Sequence, residues 1–241
     1  MAGKSPLVRL LYLVRDLRSR ALFDALRRFT RGEVLDVGGW DFFVTAREQG
    51  ATFDRWVTLE PTNERLPDVD DERFSVVRGD GCAMDFESAT FDTVLNVQVL
   101  EHVFEPIKMV AEIGRVLRPG GHAIFLIPQT STTHLAPHYF TNFSRYWIET
   151  AMDRADLDIV EHRPLGGVWS SMASHLVYFF FQAARFGGMS DARIRRPLLF
   201  WPLLPFMALY AILSLPICLV LALGDLEEEP NNHLVVVRRR A

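Results

Sequence analysis

The sequence predicts an α/β fold: a doubly wound, mostly parallel sheet, with a hydrophobic helical hairpin inserted before its last strand. Three observations carry this. Short apolar runs that end in acids or glycines recur between residues 33 and 128, separated by stretches long enough for a helix. The runs are apolar without alternation, as in strands covered on both faces. Finally, residues 168–184 and 197–224 contain no Asp, Glu, Lys or Arg, yet an ordinary strand pattern resumes after them at His233-Leu-Val-Val-Val-Arg238.

Each element follows in order. Residues 6–31 read as one amphipathic helix, with Leu7, Leu10, Leu11, Val14, Leu17, Ala21, Leu22, Ala25 and Phe29 at helical spacing and arginines elsewhere. Such a helix either packs on the domain as a lid or rests its arginine face on anionic lipid. Val34, Leu35 and Val37 form a strand that runs into Gly38-Gly39, where glycine permits positive φ and close approach of a ligand. A helix over 42–49 leads to the strand Trp56-Val-Thr-Leu-Glu60. Asp80-Gly81 follows a third strand, and Phe91-Asp-Thr-Val-Leu-Asn96 is a fourth. Residues 104–118 form the crossover helix before Pro119-Gly120-Gly121 and a fifth strand that ends at Pro128. A helix over 143–155 precedes Leu157-Asp-Ile-Val160. The chain therefore divides into a basic helix (1–32), an α/β domain (33–168 with 231–241) and an apolar insertion (169–230).

At these residues the chain resembles the class I S-adenosylmethionine-dependent methyltransferases. The resemblance is to the broad family that includes quinone methylases and bacterial glycan-cluster methylases, with a Rossmann-like sheet of seven strands. It implies S-adenosyl-L-methionine as cofactor. By that resemblance Asp36, Gly38 and Gly39 line its methionine side and Glu60 holds the ribose hydroxyls. Asp80 with Gly81 meets the adenine, and Asn96 and Val97 flank the methionine moiety. All lie at the carboxyl ends of strands, where open α/β sheets bind ligands. One departure stands out: where the family spaces its glycines G-x-G-x-G, this chain has Trp40 and Phe42 at the second and third positions. A nicotinamide-binding reading finds no G-x-G-x-x-G, and neither Tyr139 nor Tyr146 is followed four residues later by lysine.

Methyl transfer to a hydroxyl benefits from a general base. The resembling family carries a Glu-His pair after its fourth strand and a His/Tyr segment after its fifth. Here these are Glu101-His102 and Thr133-His-Leu-Ala-Pro-His-Tyr-Phe140, so His138 is the first candidate for the catalytic base and His102 the second. His134 and His138 do not read as a metal pair, because Pro137 interrupts any helix and the sequence offers no adjacent carboxylate; no metal is expected.

The net charge of −4 speaks against nucleic acid as a partner. It hides a polarity, since residues 1–32 carry Lys4 and seven arginines against Asp16 and Asp24. Cys82 and Cys218 lie in dissimilar contexts, so a reducing compartment is expected, and the N-terminal stretch lacks a signal peptide's design. Residues 197–224 exceed the ~20 apolar residues needed to cross a bilayer. Pro202, Pro205 and Pro216 are expected to break that stretch into pieces too short to span. Two crossings would also place the arginines of loop 185–196 on the far side, against the positive-inside tendency. The reading is thus a peripheral or monotopic anchor on the cytoplasmic face, with a two-span hairpin and a soluble homodimerisation hairpin as alternatives. The acceptor is then a small molecule or a lipid-linked one met at the membrane surface, of glycan, polyprenyl or quinone type, methylated on oxygen. A non-catalytic membrane scaffold that keeps the fold is the competing class.

Overall fold

The computed structural model of the chain describes residues 19–62, 70–135, 137–183 and 196–241. Residues 6–18 of the expected first helix and all but Arg196 of the arginine loop lie outside them. The described part of the first helix, α1, covers residues 19–29. There follow β1 (Glu33–Val37), α2 (Phe42–Glu48), β2 (Arg55–Glu60), β3 (Phe74–Arg78), β4 (Phe91–Val97) and a single 3₁₀ turn (Leu100–His102). Next come α3 (Pro106–Val116), β5 (Leu117–Pro128), α4 (Arg145–Arg154) and β6 (Leu157–Leu165). The chain closes with α5 (Val168–Ala183), α6 (Phe200–Leu221) and β7 (Asn232–Arg239).

The strands form one seven-stranded sheet in the order β3-β2-β1-β4-β5-β7-β6. The first five run parallel to one another, and β7 runs antiparallel between β5 and β6. This is the Rossmann-like architecture expected from the alternating pattern. Strand alternation splits the core in two. On one face Leu35, Val37, Val94 and Phe125 pack with α3 and α4. On the other, Val34, Trp56, Leu95 and Ile124 pack beneath α2 and α1, where Ala21, Leu22, Ala25 and Leu26 are buried. The described part of the N-terminal helix is thus a cover on the sheet. Burying its four apolar side chains contributes several kcal/mol at about 25 cal/mol per Å².

Local signals fix the helix starts. Pro106 opens α3, where a missing N–H costs nothing, and the Ser144 hydroxyl accepts from Trp147 N–H at the start of α4. At the start of α5 a distant residue provides the cap: the Asp225 carboxylate accepts from the backbone N–H groups of Trp169 (2.8 Å) and Ser170 (2.9 Å). Asp225 therefore ties the beginning of α5 to the end of the segment that carries α6. Val168 N–H also donates to Leu226 C=O at 3.1 Å.

One expectation is corrected here. The prolines do not divide the 197–224 stretch: α6 runs without interruption through Pro205 and Pro216, and Pro202 sits in its first turn. Each internal proline removes one backbone hydrogen bond and crowds the carbonyl four residues earlier. At 1.5 Å per residue the 22 residues of α6 extend about 33 Å. Among the described residues it is the one helix long and apolar enough to cross a membrane, and little of it is buried. Phe206, Tyr210, Leu213, Ile217 and Val220 are all more than half exposed.

Candidate functional site

The carboxyl ends of β1 to β4 are in register, with Val37 beside Leu59 and Glu60 beside Arg78. This brings the predicted cofactor residues to one edge. Gly38 takes φ +73° and donates its N–H to Leu59 C=O at 2.9 Å. Trp40 itself takes the left-handed conformation that the G-x-G pattern would assign to glycine, φ +47°. The strain is of order 1 kcal/mol, and the turn is held by Trp40 N–H donating to Glu60 Oε1 at 2.7 Å.

Gly39 lies directly over the Asp36 side chain, and a Cβ there would fall inside the Asp36 carboxylate. Asp36 is fully buried, and neither carboxylate oxygen has a hydrogen-bond partner. Desolvation first, and the neighbouring Glu60 carboxylate second, push its pKa up to about 8. The Trp56 indole, outside hydrogen-bonding geometry, offsets this slightly. Burial also raises Glu60.

On the far side of β1, Asn96 is buried with its Oδ1 unpartnered, and its Nδ2 lies 3.4 Å from Met109 Sδ. Gly81 is pressed against Met109 and Val37. Asp80 turns the chain there by accepting from Cys82 N–H at 2.8 Å. Val97 is half-buried at the strand end, and the next residue, Gln98, bends away with φ +58°.

These features fit S-adenosylmethionine. A glycine turn lies open to a cationic ligand, orphaned acceptors wait at Asp36 and Asn96, and the Glu60 carboxylate stands at the strand end where ribose hydroxyls would lie. Gly39→Ala is expected to displace the Asp36 carboxylate. It should destabilise the chain by about 1–3 kcal/mol and weaken cofactor binding by more than tenfold, read by calorimetric titration.

The second cluster follows β4 and β5. Glu101 is completely buried in the 3₁₀ turn with both carboxylate oxygens unpartnered, and desolvation pushes its pKa up to about 7. His102 Nε2 lies 3.8 Å from Glu101 Oε1, while its Nδ1 donates to His138 C=O at 2.5 Å. Burial lowers the His102 pKa, against the opposing effect of that hydrogen bond. His134 stands edge-on to His102, with ring centroids 4.8 Å apart, and Tyr139 flanks both rings. Phe140 N–H donating to Glu101 C=O at 2.8 Å pins this loop to the turn.

The structure therefore gathers His102, His134 and the His138 backbone, and leaves the His138 side chain exposed at the mouth. The expectation that no carboxylate stands near these histidines is corrected. Glu101 does, because the turn after β4 folds back under the loop after β5, a proximity that sequence spacing does not reveal. Glu101 was visible only as the neighbour of His102 in Leu100-Glu-His-Val103.

Residues 45–125 match the family model of the methyltransferase domain. A methyltransferase of Mycobacteroides abscessus is 34% identical over 122 residues, covering 47% of this chain and 45% of the relative. One from Mycolicibacterium gilvum is 33% identical over 114 residues, covering 43% and 44%. The chain thus spans less than half the length of these curated relatives. Among solved structures, a Haloferax volcanii methyltransferase in complex with the Trm112 methyltransferase activator superposes with TM-score 0.61 at 16% identity, over 94% of this chain and 91% of that one. The Haemonchus contortus phosphoethanolamine N-methyltransferase 2, solved with S-adenosyl-L-methionine, gives TM-score 0.56 at 14% identity over 94% and 53%. At these identities the superpositions speak for the fold alone. Strand order and the superpositions give the chain the fold of the class I S-adenosylmethionine-dependent methyltransferases, and residues 45–125 are similar to their methyltransferase domain.

Proposed function

We propose that the protein transfers the methyl group of S-adenosylmethionine to a hydroxyl oxygen of an amphiphilic acceptor met at a membrane surface. The observation that supports the membrane is the exposed apolar length of α6. Its position relative to the acceptor side ties the two together. Tyr178 on α5 donates its hydroxyl to Thr133 C=O at 2.7 Å, and Thr130 and Ser171 share a 2.8 Å hydrogen bond. The loop carrying His134 and His138 thus rests on the helix that pairs with α6. An acceptor whose lipid tail lies along these helices would present its polar head at that loop.

When bound, the cofactor supplies an electrophilic methyl on a sulfonium. Asp36, Gly38, Gly39, Glu60, Asp80, Gly81, Asn96 and Val97 would hold it at the strand ends. On the acceptor side the exposed His138 would take the hydroxyl proton as the C–O bond forms and the C–S bond breaks. Holding the two reactants aligned supplies much of the acceleration.

The reading is tested by calorimetric titration of the full chain in mild detergent with the cofactor and its demethylated product, followed by mass spectrometry of lipids and glycans from cells with and without the gene. A species heavier by one methylene unit in the gene's presence is expected. His138→Ala should slow turnover by about 10²–10⁴-fold with cofactor affinity intact. No cofactor binding by the folded protein would overturn the reading in favour of a membrane-associated scaffold.

A further inference from the structure

We propose that Glu101, His102 and His134 form a binding site for a divalent transition-metal ion beside the cofactor edge. One ligand atom from each lies within 4.8 Å of the other two. The histidine hydrogen bonds make this more than proximity. His102 Nδ1 faces His138 C=O, and His134 Nδ1 faces Thr132 C=O at 2.9 Å. A carbonyl can only accept, so in each neutral ring the proton sits on Nδ1 and the lone pair is on Nε2. Metal-ligating histidines are typically oriented this way, with the non-ligating ring N–H donated to a backbone carbonyl or carboxylate.

The third donor is independent of the histidines. Glu101 is fully buried, has no hydrogen-bond partner on either oxygen, and points Oε1 at His102 Nε2 across 3.8 Å. A buried carboxylate without partners is costly, and a cation between these atoms would neutralise it. Two imidazoles and one carboxylate suit zinc, iron, cobalt or manganese better than calcium or magnesium. Ligand distances near 2.1 Å require donor atoms roughly 3–3.5 Å apart, so the side chains close by about 1 Å on binding. Three protein ligands leave coordination positions open for an oxygen of the acceptor.

The experiment uses cobalt(II) alone, titrated into the chelator-treated full chain in mild detergent, with neither cofactor nor acceptor present. Its failure is therefore separable from failure of the methyl-transfer reading. Visible ligand-field bands that saturate at one cobalt per chain and are displaced by zinc are expected. Glu101→Gln and His134→Ala should each weaken binding by about 10–100-fold, while Glu48→Gln, at an exposed position on α2, leaves it unchanged. Retained S-adenosylmethionine binding by each variant, read by calorimetry, shows that it is folded, and His134, on a loop, is the variant least exposed to misfolding. Absence of cobalt bands in the wild-type protein, or equal binding by the folded His134→Ala protein, overturns the proposal.

Discussion

Asp36→Asn is expected to stabilise the ligand-free chain at pH 8 while abolishing its cofactor affinity. The buried, unpartnered Asp36 carboxyl has its pKa pushed up to about 8, against an ordinary value of 3.8. A carboxyl with a raised pKa binds its proton more tightly in the folded state than in the unfolded one. Stability attached to that proton is complete below pH 4, falls as pH rises, and is lost by about pH 8. The full span corresponds to about 6 kcal/mol, of which relaxation and water entry leave about 2–5 kcal/mol measurable. Asparagine keeps the shape and removes the ionisation. Urea unfolding of both proteins at pH 5 and pH 8 in one detergent should show the wild type losing stability between the two and the variant losing much less. Parallel behaviour would mean that Asp36 does not carry the cost. The same carboxyl is expected to tie affinity to pH. A cationic ligand favours its ionised form, so binding S-adenosylmethionine releases a proton below pH 8 and tightens as pH rises toward that value. Calorimetry in buffers of different ionisation enthalpy counts the proton.

Excision of residues 168–225 is expected to convert a membrane-retained protein into a soluble one that still binds cofactor. The ends of the cut already meet: a Cβ on Gly167 would strike Leu226 C=O, and Leu165 pairs with Asn232 across β6 and β7. A short Gly/Ser bridge therefore closes the hairpin without moving either strand. After a high-salt wash the full chain should stay with membranes and the shortened chain should not. If the shortened chain remains bound, α6 is not the principal anchor. Residual binding that salt removes would implicate surface arginines, whose attraction is screened over about 10 Å at 0.1 M salt.

The sheet was legible because strands buried on both faces leave short apolar runs closed by acids or glycines, unlike the long uncharged stretches that form α5 and α6. Val34–Val37, Trp56–Glu60 and Phe91–Val97 are such runs, and the acids and glycines at their ends mark one edge. The limits of legibility are equally physical. An interior proline forfeits one helical hydrogen bond, so Pro205 and Pro216 read as breaks in a stretch that is one helix. Trp40 reads as a departure from a glycine pattern, yet its backbone adopts the glycine conformation and Glu60 holds it there. Glu101 joins His102 and His134 through a fold-back that spans some thirty residues of sequence, and no local pattern encodes that contact.

The position of β7 has a consequence for the order in which the molecule is made. β7 follows every other described strand in the chain, yet it lies inside the sheet, bonded on one side to β5 and on the other to β6. Until it emerges from the ribosome, β5 is an open edge and β6 has no partner at all. During that interval α5 and α6 are already synthesised. The apolar helices are thus exposed before the sheet can close at its β5-β7-β6 end. The edge that carries the cofactor residues does not wait for β7, because every pairing of β1 to β4 is available by residue 128.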